Sequence, residues 1–398
     1  MSGSVSPMRR LLVLVSAVMI VDSMLYAALT PLLPHFAHEL HLSKAGAGLL
    51  VSSYAAGALV GALPAGIATT RLGVRPAVLL GLALMTAASF AFAFAEGFWP
   101  LFAARFLQGF GSGFSWAGAF AWLIAAGPRE RRGELLGTAL GAAVSGVLLG
   151  PVIGAAAAIV GRGVIFSAVG ALGFVLAAWT LRVPGLPAET PSLRALQRGL
   201  GNRRFVAGLS LMLAPSLLFA MMSVLGPLHL SRAGWGAAAI GAVWLVSAAL
   251  EAAQAPLIGR LVDRRGRLLP IRVALTAGAT LMFALAWVGR PIPYAALIVL
   301  ATMAFGALFT PGMALIADGA EEVGLAQGLA FAMMNAGWAI GAVVGPIAGG
   351  GLAAAAGDVA SYLLASATCV AGLLVARAAS GRERAAVRVD RLAGDTSE

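Results

Sequence analysis

The sequence predicts an all-α polytopic membrane protein, and three observations predict it. Residues of the types A, V, I, L, M, F, W, Y and C make up 60% of the 398 residues, only 11% are charged, and the mean hydropathy is +0.93. Soluble domains average about 45–50% apolar and about 25% charged residues, so an ordinary soluble fold is excluded. The charges are also clustered, and the stretches between clusters reach the roughly 18 residues that a helix needs to cross a bilayer.

Twelve such stretches can be marked along the chain. Spanning segments in lipid must be helices or a closed barrel, because no water is present to bond the backbone, and these stretches are too long and too continuously apolar for barrel strands. We therefore expect twelve transmembrane helices, near residues 11–33, 45–69, 76–95, 98–126, 135–160, 163–181, 205–228, 236–259, 273–289, 291–317, 324–352 and 359–376.

The positions of the basic residues predict the orientation. If the N-terminus is inside, 22 of the 27 Lys and Arg residues lie in cytoplasmic segments, which is the positive-inside pattern. We expect a multi-pass protein of the plasma (inner) membrane with both termini cytoplasmic. The net charge of +11 does not indicate nucleic-acid binding, because the arginines are divided among short segments without a continuous basic face.

The first apolar run follows Arg9 and Arg10, as in a signal peptide. The run continues beyond Asp22 to Pro34 and takes part in an internal repeat, so it is expected to be a retained first helix. The single cysteine, Cys369, excludes intramolecular disulfides and CxxC sites.

The chain repeats itself. A shift of 193 residues pairs Pro34 with Pro227, Gly48 with Gly241, and Arg71 with Arg264, and a shift of 195 pairs the Gly and Pro residues of span 5 with those of span 11. The repeat predicts two pseudo-symmetric six-helix halves in parallel orientation, 1–181 and 205–377, with a cytoplasmic linker at 182–204 and a cytoplasmic tail at 378–398. Such halves are expected to rock about a substrate site near the middle of the bilayer.

Four motifs resemble those of a known family. They are GRLVDRRGR (259–267), its weaker copy GIATTRLG (66–73), RFLQGFGSG (105–113), and GVLLGPVIGA (146–155) with its copy GAVVGPIAGG (341–350). The motifs are similar to the signatures of the major facilitator superfamily, and the last pair to the antiporter motif of its twelve-helix drug:proton antiporter branch. The opening DSMLYAALTPLLP (22–34) is similar to the first helix of that branch, including its vesicular amine and multidrug members.

The resemblance implies a gating latch in the loops between helices. Its expected residues include Asp263, whose carboxylate can lie at a helix N-terminus, and arginines that can bridge to acids such as Glu130 or Glu134. The alternative is that these arginines only set the topology. In the first copy, Thr70 replaces the acid, so that side of the latch should be weaker. The full predicted latch is Arg71, Gly73, Glu134, Asp263, Arg264, Gly266 and Arg267.

The Gly and Pro residues of the antiporter motif predict a tightly packed seam. Glycines four residues apart lie on one helix face and allow another helix to approach closely, and the prolines should bend the helix. The resemblance adds that the seam resists proton leak. The predicted seam residues are Gly146, Gly150, Pro151, Gly154, Gly341, Gly345, Pro346 and Gly349.

Three charged residues lie well inside the predicted spans: Asp22, Arg105 and Glu251. A charge deep in lipid costs about 3 kcal/mol on insertion scales, so each should face a cavity or a partner. Burial favours the neutral form of a carboxyl, so both acids are candidates for proton coupling, and the resemblance ties the arginine to proton transfer. A structural ion pair between Asp22 and Arg105 is the alternative.

A cavity for lipophilic compounds is expected to combine apolar and aromatic walls, with Tyr54 among the candidate lining residues, and few polar groups. For each apolar residue, packing or lipid contact is the alternative to ligand contact. The amide of Asn335 needs a partner, which could also be another helix. The predicted substrate-binding residues are Asp22, Tyr26, Gln108, Trp116, Glu251, Gln254, Asn335 and Trp338.

Other chemistry has little support in the sequence. GFGSGF (109–114) lacks the third glycine of a dinucleotide fingerprint and follows no strand, and no Walker, HExxH or GxSxG motif occurs. His35, His38 and His41 are expected to be a solvated cluster rather than a metal site. We therefore predict no enzyme, no cofactor and no metal, and an ion gradient as the energy source.

The expected function is a secondary transporter, namely a proton-coupled exporter of small lipophilic or cationic compounds that works by alternating access. The expected partners are the small-molecule substrate, the proton and the lipid bilayer, with a monomer as the functional unit. The alternatives are a proton-coupled sugar, amino-acid or metabolite transporter and a non-transporting membrane receptor.

Overall fold

A computed structural model describes residues 7–128, 131–187, 193–325 and 327–394, and those residues form an all-helical structure without strands. This confirms the predicted fold class. A turn of 3-10 helix at Thr30–Leu32 joins the first two helices. The α-helices are α1 (Pro7–Ala27), α2 (Leu33–Glu39), α3 (Lys44–Leu72), α4 (Val74–Phe94), α5 (Phe98–Ala126), α6 (Arg132–Val160), α7 (Arg162–Leu181), α8 (Leu193–Gly201), α9 (Arg203–Arg232), α10 (Ala237–Arg265), α11 (Leu268–Leu285), α12 (Pro291–Gly306), α13 (Phe309–Glu322), α14 (Gln327–Ala356) and α15 (Asp358–Gly394).

Eleven helical segments of the described chain are long and apolar enough to cross a membrane. The predicted fourth span corresponds to α5, which is 29 residues long, contains Arg105, Gln108 and several Gly and Ser residues, and is not among these eleven. Helices α3 and α4 pack against α5 and surround its polar side chains. With α5, the chain forms the twelve transmembrane segments of a multi-pass membrane protein.

Two of the spans are broken, which the apolar pattern does not show. Span 1 is interrupted at Ala28–Leu32, where Pro31 and Pro34 have no N–H to donate to the carbonyls one turn earlier. Span 10 is interrupted between α12 and α13, where Pro311 has no N–H for the carbonyl of Ala307. Both breaks leave backbone carbonyls that need other partners.

The two halves pack in corresponding ways. In the first half α1 packs on α6, and α4 on α7; in the second half α9 packs on α14, and α11 on α15. The seam glycines make some of the closest contacts between these helices. A Cβ at Gly150 would clash with the backbone and side chain of Ala27, and one at Gly345 would clash with the backbone of Leu217. Each seam therefore holds the first helix of its half against the fifth.

The halves meet through α3 with α14 and α6 with α10, and both contacts are tight near the predicted outer face. The carbonyl of Pro346 lies against Gly48, and the carbonyl of Pro151 lies 3.0 Å from the position a Cβ would take on Gly241. Gly48 and Gly241 are repeat partners, as are Pro151 and Pro346. The two contacts between the halves thus obey the same pseudo-symmetry as the sequence.

Ion pairs reinforce this outer closure. Lys44, at the start of α3 in the first half, contacts Asp358 at the start of α15 in the second half. Arg232, at the end of α9, also contacts Asp358 at 2.8 Å. The Asp358 carboxylate therefore pairs with both cations, and its pair with Lys44 joins the two halves.

Towards the predicted cytoplasmic face, three of these four helices, α3, α6 and α10, have glycines without close neighbours. Within the described residues, no atom lies within 4 Å of a Cβ built on Gly66 of α3, Gly137 or Gly141 of α6, or Gly259 of α10. The close contacts described between the halves therefore lie at the predicted outer ends, and none of comparable closeness is found at these cytoplasmic positions. Under the predicted topology, this is the pattern expected of an inward-facing arrangement.

The linker and tail contain helix as well. Helix α8 lies within the predicted linker 182–204, and α15 continues as helix to Gly394, through most of the predicted tail. The start of α9 is fixed by Asn202, whose side chain accepts hydrogen bonds from the backbone N–H groups of Arg204 and Phe205.

Candidate functional site

The centre of the first half is built around the buried carboxylate of Asp22 on α1. Ser112 of α5 donates a hydrogen bond to Asp22 Oδ2 at 2.8 Å, and the indole N–H of Trp116 donates to the same oxygen. The hydroxyl of Tyr54, on α3, donates to Oδ1. Asp22 is 1% exposed, so these three donors replace the water that a carboxylate would otherwise bind.

Arg105 lies beside this cluster and bonds to the end of α1. Its guanidinium donates to the carbonyl of Leu25 at 2.7 Å and to that of Tyr26 at 3.0 Å. These carbonyls belong to the last turn before the break in span 1, where a helix lacks partners of its own. Arg105 also donates to Gln108 at 3.0 Å, and Gln108 donates to Ser89 at 3.3 Å. Arg105 therefore caps the helix on which Asp22 lies.

Asp22 and Arg105 do not form an ion pair in this structure: no described salt bridge joins them, and their hydrogen bonds go to other groups. Tyr54 lies between them. Its hydroxyl binds Asp22, while the Arg105 guanidinium carbon lies 4.8 Å from the centre of its ring. The two charged groups are thus connected through the side chain of Tyr54. The structure does not show the alternative, a direct ion pair between Asp22 and Arg105.

Aromatic rings close this cluster on the side facing the second half. The Tyr26 ring lies 5.4 Å from the Tyr54 ring and 5.0 Å from the Trp338 ring, measured between ring centres. Trp338 is on α14, so this edge-to-face contact joins the two halves. Ser216 of α9 donates a 2.5 Å hydrogen bond to the backbone carbonyl of Trp338 and fixes that turn of α14.

The structure brings together five of the predicted substrate-binding residues, namely Asp22, Tyr26, Gln108, Trp116 and Trp338, through direct contacts or one intervening residue. Asn335 lies one helical turn before Trp338 and is partly exposed.

The other two predicted residues lie apart from the Asp22 cluster, on α10. Gln254 donates a 2.6 Å hydrogen bond to the carbonyl of Met303, in the last turn of α12. Glu251 lies one turn earlier on the same face of α10 and packs against Gly306, the last residue of α12. Both side chains therefore point to the break in span 10.

The predicted latch residues are mostly solvent-exposed and do not join the halves in this structure. Glu134 pairs with Arg131, three residues earlier, at 2.8 Å, and Arg267 pairs with Asp318 of the same half. Asp263, Arg264 and Arg71 are exposed, and Glu130 lies outside the described residues.

Gly73 and Gly266, the two glycines of the latch motif, have similar backbone conformations. Their φ angles are +93° and +76°, in the region that favours glycine. The hydroxyl of Thr70 donates to the carbonyls of Gly66 and Ile67 in its own helix, so it does not cap α4.

Two further polar neighbours of Asp22 are Ser112, which was absent from the predicted site, and Tyr54, which was predicted only as part of the aromatic wall of the cavity. Ser112 could have been found, because Gln108, Ser112 and Trp116 follow one another at four-residue spacing and so form a polar stripe on one face of α5. No local sequence pattern indicates that the Tyr54 hydroxyl binds Asp22. That bond depends on how α3 is placed against α1.

The histidine cluster has an ordinary surface environment. His35 lies 3.3 Å from Glu39, one turn later, and their side chains are 66% and 53% exposed. Among the described residues, no group of His, Cys, Asp and Glu side chains is arranged to hold a metal ion.

Comparison with known proteins gives consistent results for family and fold. A family model described as the Major Facilitator Superfamily matches residues 15–334. The "Uncharacterized MFS-type transporter YcaD" of Escherichia coli O7:K1 (strain IAI39 / ExPEC) is 29% identical over 251 residues, which are 62% of this chain and 65% of that protein. The match thus spans just under two thirds of the relative's length.

Three solved structures share the fold at low identity. A bacterial homologue of the human lysosomal transporter Spinster, in an inward-facing and unoccupied conformation, has a TM-score of 0.73 and 15% identity, covering 94% of this chain and 96% of that one. The nucleoside transporter NupG has a TM-score of 0.70 and 15% identity, covering 92% and 98%. The human organic anion transporter MFSD10 (TETRAN) has a TM-score of 0.66 and 18% identity, covering 94% and 100%.

Proposed function

Because the chain belongs to the Major Facilitator Superfamily, we propose that this membrane transporter is a secondary active, proton-coupled exporter of small lipophilic cations. The observation that carries the proposal is the cluster around Asp22. A buried carboxylate on span 1 lies among the rings of Tyr26, Tyr54 and Trp116 and next to the contact between the halves.

The composition of this cluster favours a cationic, lipophilic substrate. Aromatic faces attract cations, and a carboxylate supplies the opposite charge in a desolvated setting. The one buried cation nearby, Arg105, already bonds to two backbone carbonyls and to Gln108. It is therefore less available for an anionic substrate than a free guanidinium would be.

Alternating access would be provided by the two halves. In the inward-facing arrangement the Asp22 cluster lies below the outer closure made by Gly48 with Pro346 and by Lys44 with Asp358. Opening the outer contacts and closing the cytoplasmic ends would expose the site to the other side. In that second state we expect Asp263, Arg264 and Arg267 to form the latch, and we propose that the α1–α6 and α9–α14 seams keep protons from leaking.

The proposal is tested by growth inhibition in a bacterial host that lacks its main efflux pumps. Cells that produce the chain should survive higher concentrations of lipophilic cations such as ethidium and tetraphenylphosphonium. Asp22→Asn, which removes the charge and keeps the shape, should return survival to that of cells without the gene. Glu96→Gln, an equivalent change of an exposed acid in a loop, is the matched control and should have no effect.

Direction and coupling need a second measurement. In energised inverted vesicles, adding tetraphenylphosphonium should release protons from the vesicle lumen only when the chain is present. Transport that ignores the proton gradient would contradict the proposal. So would uptake of labelled nucleosides, sugars or organic anions with no effect of lipophilic cations, because that would identify a metabolite transporter.

A further inference from the structure

Glu251 and Asp22 are the two acids placed inside the spans, and their surroundings are opposite. Asp22 receives hydrogen bonds from three side-chain donors, one of which, the Trp116 indole N–H, can only donate. Donors of this kind stabilise an ionised carboxylate. Glu251 receives none: within the described chain, no hydrogen bond or ion pair joins its carboxyl to another residue.

The neighbourhood of Glu251 is also free of charge. Helices α6, α9, α11, α12 and α13 pack against α10, yet no described ionisable side chain on them acts on Glu251. Its neighbours are the amide of Gln254, one turn along the helix, and the last turn of α12. A carboxylate without a donor or a cation is costly in such a setting, and a protonated carboxyl costs much less.

The break in span 10 places this carboxyl against the end of a helix. A helix ends at Gly306, and the carbonyls of its last turn form the negative end of the helix dipole. A Cβ on Gly306 would lie 2.8 Å from Glu251 Oε1 and 2.7 Å from its carboxyl carbon, so only glycine leaves room for the carboxyl there. A carboxylate is repelled at this end of a helix, and protonation of the carboxyl removes the repulsion.

We propose that Glu251, at the break between α12 and α13, is the binding site of the coupling proton, while Asp22 is the binding site of the cationic substrate. This inference rests on the proposed function and divides it between two carboxyls in different halves. Glu251 is partly exposed, so its proton leaves to water at the open cytoplasmic side. It is replaced from the outside after the halves rock. One proton enters for each cycle, and the substrate cation leaves in the opposite direction.

Helix α10 connects Glu251 to the outer contacts between the halves. Gln254 ties α10 to the carbonyl of Met303, so α10 and the last turn of α12 form one unit. Helix α10 also carries Gly241, one of the two glycines at the outer contacts between the halves. Loss of the proton at Glu251 therefore acts on the helix that makes half of the outer closure.

The test separates proton coupling from substrate binding in proteoliposomes. Uptake of labelled tetraphenylphosphonium is measured in two ways: accumulation driven by a pH gradient, and counterflow, an exchange of internal for external compound without a gradient. Glu251→Gln should lower gradient-driven accumulation at least about ten-fold and keep counterflow within about two-fold of the unmodified chain. Asp22→Asn should abolish both.

Three further variants complete the design. Glu251→Asp keeps a carboxyl and should retain part of the gradient-driven accumulation. This variant also checks that a loss in Glu251→Gln is not caused by misfolding. Gly306→Ala displaces the carboxyl without altering it and should weaken accumulation but not counterflow. Ser247→Ala, one turn earlier on α10, is the matched control, because the Ser247 hydroxyl bonds only to its own helix at Val243.

The outcomes distinguish this inference from the proposed function. If the unmodified chain shows no gradient-driven accumulation of any compound from the growth panel, the proposed function itself fails. If the unmodified chain accumulates the compound and Glu251→Gln does so equally well, Glu251 is not the proton site. Equal loss of counterflow in well-folded Glu251→Gln and Asp22→Asn would likewise overturn the division between the two carboxyls.

Discussion

Arg105 shows how a buried charge can be held without an opposite charge. The residue is 1% exposed, and its guanidinium is held by two backbone carbonyls, one amide and the faces of two rings, with the Tyr54 ring the nearer at 4.8 Å. Its Nε–H has no hydrogen-bond partner among the described residues. The planar fork of arginine suits this arrangement, since two donors can reach adjacent carbonyls at once. The residue thereby fixes the end of α1, four residues beyond Asp22.

Arg105→Lys tests this role. Lysine keeps the charge but offers a single ammonium, which cannot reach the Leu25 and Tyr26 carbonyls in the same geometry. We expect efflux to fall by about ten-fold or more, because Asp22 and Tyr26 lose their position. The measurement is the initial rate of ethidium efflux from loaded cells at matched protein level. A rate equal to that of the unmodified chain would show that only the charge of Arg105 is needed.

At the scale of helices, glycines set how closely neighbouring helices approach, and their positions explain much of the packing within each half. Gly345 of α14 faces the backbone of Leu217 of α9, as Gly150 of α6 faces Ala27 of α1. Lipid tails are as apolar as the helix surfaces, so helix association in a bilayer depends on such close contact rather than on the hydrophobic effect.

Gly345→Ala should therefore destabilise the protein by roughly 1–3 kcal/mol, because its methyl group would overlap backbone atoms that cannot move cheaply. Gly351→Ala, on the same helix, is the matched control, since its Cβ would meet open space. Thermal unfolding in detergent, followed by tryptophan fluorescence, should give a lower midpoint for Gly345→Ala alone. Equal midpoints for the two variants would mean that the seam is loose.

At the scale of the whole molecule, the two halves are held together at the predicted outer face. Lys44 and Asp358 form the described ion pair across the halves at the predicted outer face, beside the contact of Gly48 with Pro346. If the halves must separate there in every cycle, a permanent bond at this point should stop transport.

This can be tested with cysteines, since Cys369 is the only cysteine of the chain. In a Cys369→Ser background, Lys44→Cys with Asp358→Cys should be joined by a short bifunctional thiol reagent. Ethidium efflux should then fall at least about ten-fold and recover when a cleavable reagent is reduced. The control pair is Arg232→Cys with Asp358→Cys, which lie in contact within one half. Efflux that persists after full cross-linking of the first pair would exclude opening at this face.

Much of the fold followed from properties that act along the chain. The length of the apolar stretches predicted the helices, the basic residues predicted the topology, and the repeat predicted two halves. The proline-induced breaks at Ala28–Leu32 and between α12 and α13 were missed, because an apolar pattern records burial in lipid and not the missing N–H groups. The prolines themselves were visible, but Pro151 and Pro346 lie inside continuous helices, so a proline alone does not predict such a break.

The sequence by itself determined the class of protein, the order of its helices and the three charged residues inside the spans. Only the tertiary structure decided the partners of those charges. Asp22 is bonded by Tyr54 and Ser112, which are 32 and 90 residues away along the chain, and Arg105 bonds to carbonyls about 80 residues away. Such partners depend on how each helix is rotated and placed against its neighbours. Helix packing fixes that placement, and the hydropathy of a single segment does not encode it.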